Sequence, residues 1–278
     1  AAEVSSAVRR GRRVNVEAVV ESGRGRERGE VTVPHTRILR TTLAVEDCYA
    51  YWQKVDLSVP AAERAQVAFK GRWFGLKSEA RVRTLMGDML ERFDAQPEAL
   101  ALLHELQTIP AVLRPWVCHV HTQLADPIYR RLTGELLPTR RALGYATVDR
   151  EIVARWVEEW FPGRWSGTTA IKFGSNLLAA AFEAGLLAER RDPRKLRKPA
   201  VPDVIVGYAL YLLRDVKIEG SLTANPYLRS LGVEPESFAE IAVRVPGIRF
   251  AEVGGVAELT FSEPSLAAWG RNHLRAAE

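Results

Sequence analysis

Pro202-Asp203 followed by Asp215-Val216-Lys217 matches the loose Pro-Asp, then Asp/Glu-x-Lys, pattern of many metal-dependent nucleases. That chemistry needs two carboxylates converging on Mg²⁺, with a lysine near the attacking water. Such enzymes deliver these groups from adjacent strands. Here the intervening VIVGYALYLLR reads most simply as a buried helix that would hold the carboxylates apart, although its β-branched start leaves a strand open. Cys118, His119 and His121 carry zinc-ligand chemistry. On one helix, however, 118 and 121 share a face while 119 points elsewhere, so His121 better suits packing or a bond to a neighbouring backbone group. No GxxxxGK[ST], no strand-to-helix GxGxxG and no GxSxG elbow occurs. A non-enzymatic chain with no metal and no cofactor is the expectation.

A different chemistry is offered by SGTTAIKFGSNLLAAAFEAGLLAERRDPRKLRK, Ser166 to Lys198. Read as a helix from about Thr169, it has a buried stripe of Ile171, Leu178 and Phe182 with Ala170, Leu177 and Ala181. Thr168 and Thr169 stand at its start, and Lys172, Ser175, Asn176 and Ala179 lie round the other side. Small, polar and singly cationic, that face suits a major groove, where Asn and Ser bond base edges and Lys bonds phosphate or guanine. An ordinary solvated helix has the same composition. The following ERRDPRKLRK holds six cations and two anions. Arg190, Arg191, Arg194, Lys195, Arg197 and Lys198 form one candidate phosphate-binding loop, and the alternative is an exposed solvated loop.

Helix signals place these residues. Thr147 and Asp149 can cap the helix of VDREIVARWVEEWF, which stops at Pro162-Gly163, and Ser166, Thr168 or Thr169 can cap the next. Two helices across a short turn make a helix-turn-helix unit, and Gly185 can close the second helix in the left-handed conformation. Upstream, VEDCYAYWQKV, PAAERAQVAFKGRWF, KSEARVRTLMGDMLERF, PEALALLHEL, PAVLRPWVCHVHTQLAD and DPIYRRLTGELL read as helices bounded by proline or aspartate. Val82, Leu85, Met89 and Phe93 share one face there. Trp52, Trp116, Trp156 and Trp160 fall in helical apolar patterns and read as core rather than as base-stacking platforms.

Downstream, NPYLRSLG and EPESFAEIAVRV read as two helices, and GIRFAEVGGVAELTF as a β-hairpin around Gly254-Gly255. That order is winged-helix-like. Glu234, Glu236 and Glu240 make its second helix acidic, which favours a stabilising or protein-contacting unit and leaves Arg229, Arg244 and Arg249 as weaker DNA candidates. The fold expectation is mainly α: an irregular helical N-terminal domain, then helix-turn-helix or winged-helix-like C-terminal units with a small hairpin. Boundaries fall at 1–34 (a mobile basic arm with seven arginines and a short strand at VNVEAVV), 35–145, 146–200 and 201–278.

The 278 residues are 47% hydrophobic and 26% charged, a normal globular balance. A net charge of +5 is too small to establish an anionic partner, so where the cations sit matters more. Two cysteines without paired spacing argue against a disulfide framework. VIVGYALYLL is about half the length needed to span a bilayer, so a cytoplasmic protein without membrane contact is expected.

The succession RVRTLMGDMLERFDAQPEAL, WVCHVHTQLADPIYRRLTGELL, WSGTTAIKFGSNLLAAAFEAGLL resembles the BrxA component of bacterial BREX (bacteriophage exclusion) defence systems over roughly residues 37 to 190. The resemblance rests on hydrophobic and small residues, not on a catalytic signature. It implies a mostly helical, non-enzymatic accessory protein that binds double-stranded DNA beside a methyltransferase, an ATPase and a phosphatase-like protein. The arginine-rich start departs from the family's usual one. DNA binding through the helix and basic loop, with weak sequence dependence, is the leading functional expectation. A scaffold joining defence subunits is the alternative, and a Mg²⁺-dependent nuclease the more remote one.

Overall fold

Helix starts fall where capping chemistry puts them. In the computed structural model, which describes residues 28–253 and 256–275, the chain is mainly α-helical. Its first part holds α1 (Val45–Lys54), α2 (Ala61–Lys70), α3 (Glu79–Met89), α4 (Pro97–Leu106), α5 (Arg114–Ala125), α6 (Pro127–Arg131) and α7 (Leu137–Ala142). Ser78 caps α3 and Asp126 caps α6 through side-chain oxygens, and prolines occupy the first turns of α4, α5, α6 and α7. A π-helical turn at Leu90–Asp94 extends α3, and a second at Leu132–Leu136 joins α6 to α7. Val82, Leu85, Met89 and Phe93 are all buried on the expected face.

The second part holds α8 (Arg150–Trp160), α9 (Gly167–Glu183), α10 (Asp203–Leu213), α11 (Pro226–Ser230), α12 (Phe238–Ala242) and α13 (Leu266–His273). Among the described residues six short strands accompany the helices: β1 (Arg28–Gly29), β2 (Thr147–Val148), β3 (Arg194–Lys195), β4 (Val216–Lys217), β5 (Ile248–Val253) and β6 (Val256–Phe261). β1 pairs with β4 in parallel, while β2 with β3 and β5 with β6 are antiparallel. A continuous hydrophobic core runs from Ile38 to Leu274.

Two helices are enclosed by the rest. Every residue of α10 from Val204 to Leu213 is buried, which resolves that segment as helix rather than strand. α5 is buried from Trp116 to Ala125 although His119, His121, Thr122 and Gln123 are polar; the histidines and Gln123 find partners inside, while the Thr122 hydroxyl has none among the described residues. His121 Nδ1 lies 2.8 Å from the Arg92 carbonyl and therefore carries the proton; its Nε2 then accepts from the Tyr208 hydroxyl at 2.6 Å. The Ser230 hydroxyl donates to the Tyr227 carbonyl at 2.6 Å, so it accepts from His119 Nε2 at 2.8 Å, and His119 Nδ1 accepts from Tyr129. Burial pushes both imidazoles down, to about 3 for His119 and about 4 for His121. They are neutral structural connectors, and Cys118 is buried beside them.

The basic arm expected over 1–34 is seated in its last residues; residues 1–27, including VNVEAVV, lie outside the described ones. Glu30 reaches between Arg130 Nε (3.4 Å) and the Tyr227 hydroxyl (2.7 Å), and its backbone N–H donates to the Lys217 carbonyl. From there residues 34–44 run as a strap, with one 3₁₀ turn at Arg37–Leu39. The buried Arg92 guanidinium binds the carbonyls of Thr41, Thr42 and Leu43 from the strap's inner side.

Candidate nucleic-acid interface

Asp149 rather than Thr147 caps α8, accepting the Ile152 N–H at 2.8 Å, while Thr147 belongs to β2. Gly163 turns the chain at φ +66° between α8 and α9, and its N–H donates to Glu158 Oε1 at 2.8 Å. Ser166 caps α9 through the Thr169 N–H, and Gly185 ends it at φ +79°. The two helices pack tightly because residue 174 is glycine. A Cβ there would lie 3.0 Å from the carbonyl carbon and Cα of Arg150, and nearer still to its oxygen.

The basic segment after α9 is a hairpin, not a free loop. Leu187 pairs with Leu196, the Ala188 N–H donates to the Lys195 carbonyl, and the Arg197 N–H donates to that of Leu186. Its returning strand pairs on the other side with β2, Val148 against Arg194 and Thr147 against Lys195. Strand, helix, turn, helix and hairpin follow in order, and residues 189–193 form the hairpin tip. The order of helices followed by a hairpin, expected of the C-terminal unit and present there as α11, α12 and β5–β6, therefore also occurs in 146–200. In the C-terminal unit, EPESFAEIAVRV is not one helix. It divides into a 3₁₀ turn at Pro235–Ser237 and the five-residue α12, too short to read a groove. Arg229 is paired with Glu234 and Arg244 with Asp203.

The exposed face of α9 differs from the expected one. Phe173 is buried and Ile171 is 38% exposed, so the buried stripe is Ala170, Phe173, Leu177, Leu178 and Ala181, with Phe182 at its edge. Gly174 is rotated into α8, which turns Ile171 outward. Thr168 and Lys172 are exposed, and Ser175 is half-buried with its hydroxyl donating to the Ile171 carbonyl at 3.1 Å. Thr169 is half-buried, its hydroxyl 3.1 Å from that of Ser166, and serves the cap. Asn176 is not available to a base edge. Its amide donates to the carbonyls of Ile38 and Leu39, at 3.2 and 2.9 Å, and holds the strap. What remains open is Thr168, Ile171, Lys172, Ser175 and Ala179.

The hairpin cations also divide. Arg194 is 6% exposed and bonded to Asp192 at 2.9 Å, so it is a structural residue inside the hairpin. Arg190, Arg191, Lys195, Arg197 and Lys198 are exposed, and none of their side-chain nitrogens has a carboxylate within 4.0 Å among the described residues, although the Lys195 backbone N–H donates to Glu189 Oε2 at 2.9 Å. Asp192 also accepts the backbone N–H of Arg150 at 3.4 Å, which ties the hairpin tip to the start of α8.

The other candidate chemistries do not assemble. Asp203 opens α10 and Asp215 follows its end, roughly 18 Å apart at 1.5 Å per residue. Asp203 pairs with Arg244 and Asp215 with Arg214, so the two carboxylates share no site with Lys217. Among the described residues no three His, Cys, Asp or Glu side chains are grouped to hold a metal ion. Trp160 is not core. It is 47% exposed with the Arg131 guanidinium 3.9 Å above its ring, whereas Trp52, Trp116 and Trp156 are buried. Among the described residues no helix is long and apolar enough to cross a membrane. No protein-family model matches the chain, and no curated protein matches it.

Proposed function

We propose that the chain is a non-enzymatic, cytoplasmic protein that binds double-stranded DNA. The supporting observation is the open strip on α9, made of Thr168, Lys172, Ser175 and Ala179 and flanked by exposed hairpin cations whose side chains have no carboxylate partner among the described residues. Small side chains let a helix approach base edges closely, and cations with no internal carboxylate are ready to neutralise phosphates. With Asn176 committed to the strap, base readout is left to Lys172, Ser175 and the Ile171 side chain against a thymine methyl. Binding is therefore weakly sequence-dependent. The resemblance to BrxA supplies the setting, an accessory role in BREX-type phage defence beside a methyltransferase, an ATPase and a phosphatase-like subunit.

The test is fluorescence anisotropy of a labelled duplex across salt concentrations. Lys172 and the five exposed hairpin cations give a slope of about −4.5 to −5.4 for five or six phosphate contacts, an affinity loss of roughly 500- to 2,000-fold between about 50 and 200 mM salt. Absence of duplex binding at low salt, alongside co-purification with a defence subunit that survives charge reversal of the hairpin, would instead identify a protein scaffold.

A further inference from the structure

α9 is walled on two sides. Residues two apart on a helix project about 200° from each other, so Gly174 and Asn176 mark nearly opposite flanks. On the Gly174 flank stands the start of α8, with the hairpin tip bound to it through Asp192. On the Asn176 flank lies the strap, which follows α9 along its length. The Arg164 guanidinium, in the turn before α9, donates to the Pro34 carbonyl at 3.0 Å. Asn176 then holds Ile38 and Leu39, and the Glu183 carboxylate accepts from the Thr42 hydroxyl at 2.7 Å and the Ala44 N–H at 3.0 Å. The open strip faces out between the two walls.

The strap carries cations of its own. Arg37 is neutralised by Glu91 at 2.8 Å. Arg40 is exposed, makes no side-chain hydrogen bond and has no carboxylate within 4.0 Å among the described residues. Arg81 lies against the strap, donating to the Arg40 carbonyl at 2.8 Å, and it too lacks a carboxylate partner among the described residues, as does Arg164. Both flanks of the strip therefore present positive charge, with Arg40 on one and the hairpin cations on the other lying at least 150 residues apart in sequence.

Building on the duplex-binding reading of α9, we propose that the strap is a second phosphate-binding wall. Arg40, Arg81 and Arg164 contact one DNA strand while the hairpin cations contact the other, with α9 between them in the major groove. The dimensions agree: a helix with its side chains is about 10–12 Å across and the major groove about 12 Å wide, so a helix seated there brings both its flanks to phosphate backbones.

The test is phosphate-ethylation interference on a duplex with each strand labelled in turn, using the wild-type chain, Arg40→Ala and the pair Arg190→Ala with Arg191→Ala. Arg40 is the informative position because its side chain makes no hydrogen bond or ion pair among the described residues whose loss would unfold the strap. Arg40→Ala should lower affinity about eightfold at 0.1 M salt, reduce the salt slope by about 0.9, and abolish interference at phosphates of one strand only. The hairpin pair should abolish it on the opposite strand. If Arg40→Ala binds like wild type while the hairpin pair loses affinity, or if both erase contacts on the same strand, the second wall is refuted and duplex binding by α9 stands. Failure of the wild-type chain to bind would overturn the duplex-binding reading itself.

Discussion

Gly174→Ala and Gly87→Ala are the same chemical change in two helices, and the structure gives them opposite signs. In a helix interior, alanine in place of glycine gains about 0.5–1 kcal/mol because the unfolded chain loses freedom. At Gly87, exposed on α3, an added Cβ meets nothing within 4 Å, so the full gain is expected. At Gly174 the new methyl would sit 3.0 Å from two backbone carbons of Arg150, against an optimal carbon separation of about 3.5–4.0 Å. Backbone cannot rotate aside, so α8 must move off α9 by at least about half an ångström. Overpacking of that kind costs about 1–3 kcal/mol; with the Arg150 oxygen nearer still about 2–3 kcal/mol applies, and subtracting a helical gain of about 1 kcal/mol leaves Gly174→Ala destabilised by about 1–2 kcal/mol. At about 2–4 °C per kcal/mol for a chain of this order of size, Tm should fall by roughly 2–8 °C for Gly174→Ala and rise by about 1–4 °C for Gly87→Ala. Thermal unfolding followed by circular dichroism measures both. A Gly174→Ala protein that melts at or above the wild-type temperature would refute the close approach of α8 and α9. Gly174→Ala should also weaken duplex binding well below its Tm, since the hairpin tip is tied to the start of α8.

Acid should destabilise the fold through α5. His119 and His121 are held neutral by burial, to about 3 and about 4, against 6.5 in the unfolded chain. The unfolded state therefore takes up protons first, and stability that is complete above pH 6.5 is lost as the pH falls from 6.5 toward 4, by about 1.4 kcal/mol per pH unit for each histidine. Urea midpoints that stay flat between pH 6.5 and 4.5 would contradict this. Arg194→Ala should lower stability and leave the salt slope of DNA binding unchanged, whereas Arg191→Ala should reduce the slope by about 0.9 with stability intact; the reverse assignment would show that the buried and exposed hairpin cations have been confused. Asn176→Ala should speed amide hydrogen exchange at Arg40 and Thr41, whose N–H groups close the 3₁₀ turn, without changing which duplexes are preferred. Equal protection in the variant would mean that the amide does not hold the strap.

The helices of the candidate interface were legible because their ends are written locally: Asp149, Gly163, Ser166 and Gly185 each act within a few residues of themselves. The rotation of α9 was not. Ala170, Ile171, Phe173, Gly174, Leu177, Leu178, Ala180 and Ala181 cover most of the helix circumference, so periodicity alone does not choose between Ile171 and Phe173. The choice is made by Gly174 meeting Arg150, a contact across a turn that leaves no mark on the apolar pattern. Asn176 was misassigned because its partners lie 137 and 138 residues away. Arg194 had a local sign of its role in Asp192 two residues before it, and the pairing of β2 with β3 fixed its burial. The acidic C-terminal segment reads as one helix from its pattern, whereas the structure divides it into a 3₁₀ turn opened by Pro235 and the short α12. Arg40 and Arg164 are single cations in ordinary sequence surroundings. They stand at one flank only after the strap has been laid beside α9.

The strap also bears on how the unit comes into being. Residues 34–44 leave the ribosome before α9 and wait for a helix made about 140 residues later, so the groove-facing element is completed by a long loop closure rather than by neighbours in sequence. A segment cut at 146–200 would contain the whole helix-turn-helix and hairpin yet lack one side of its setting, with the Asn176 amide and the Glu183 carboxylate left without their partners. The unit is thus a module in outline but not in inheritance: it could be transplanted or duplicated only together with residues 34–44.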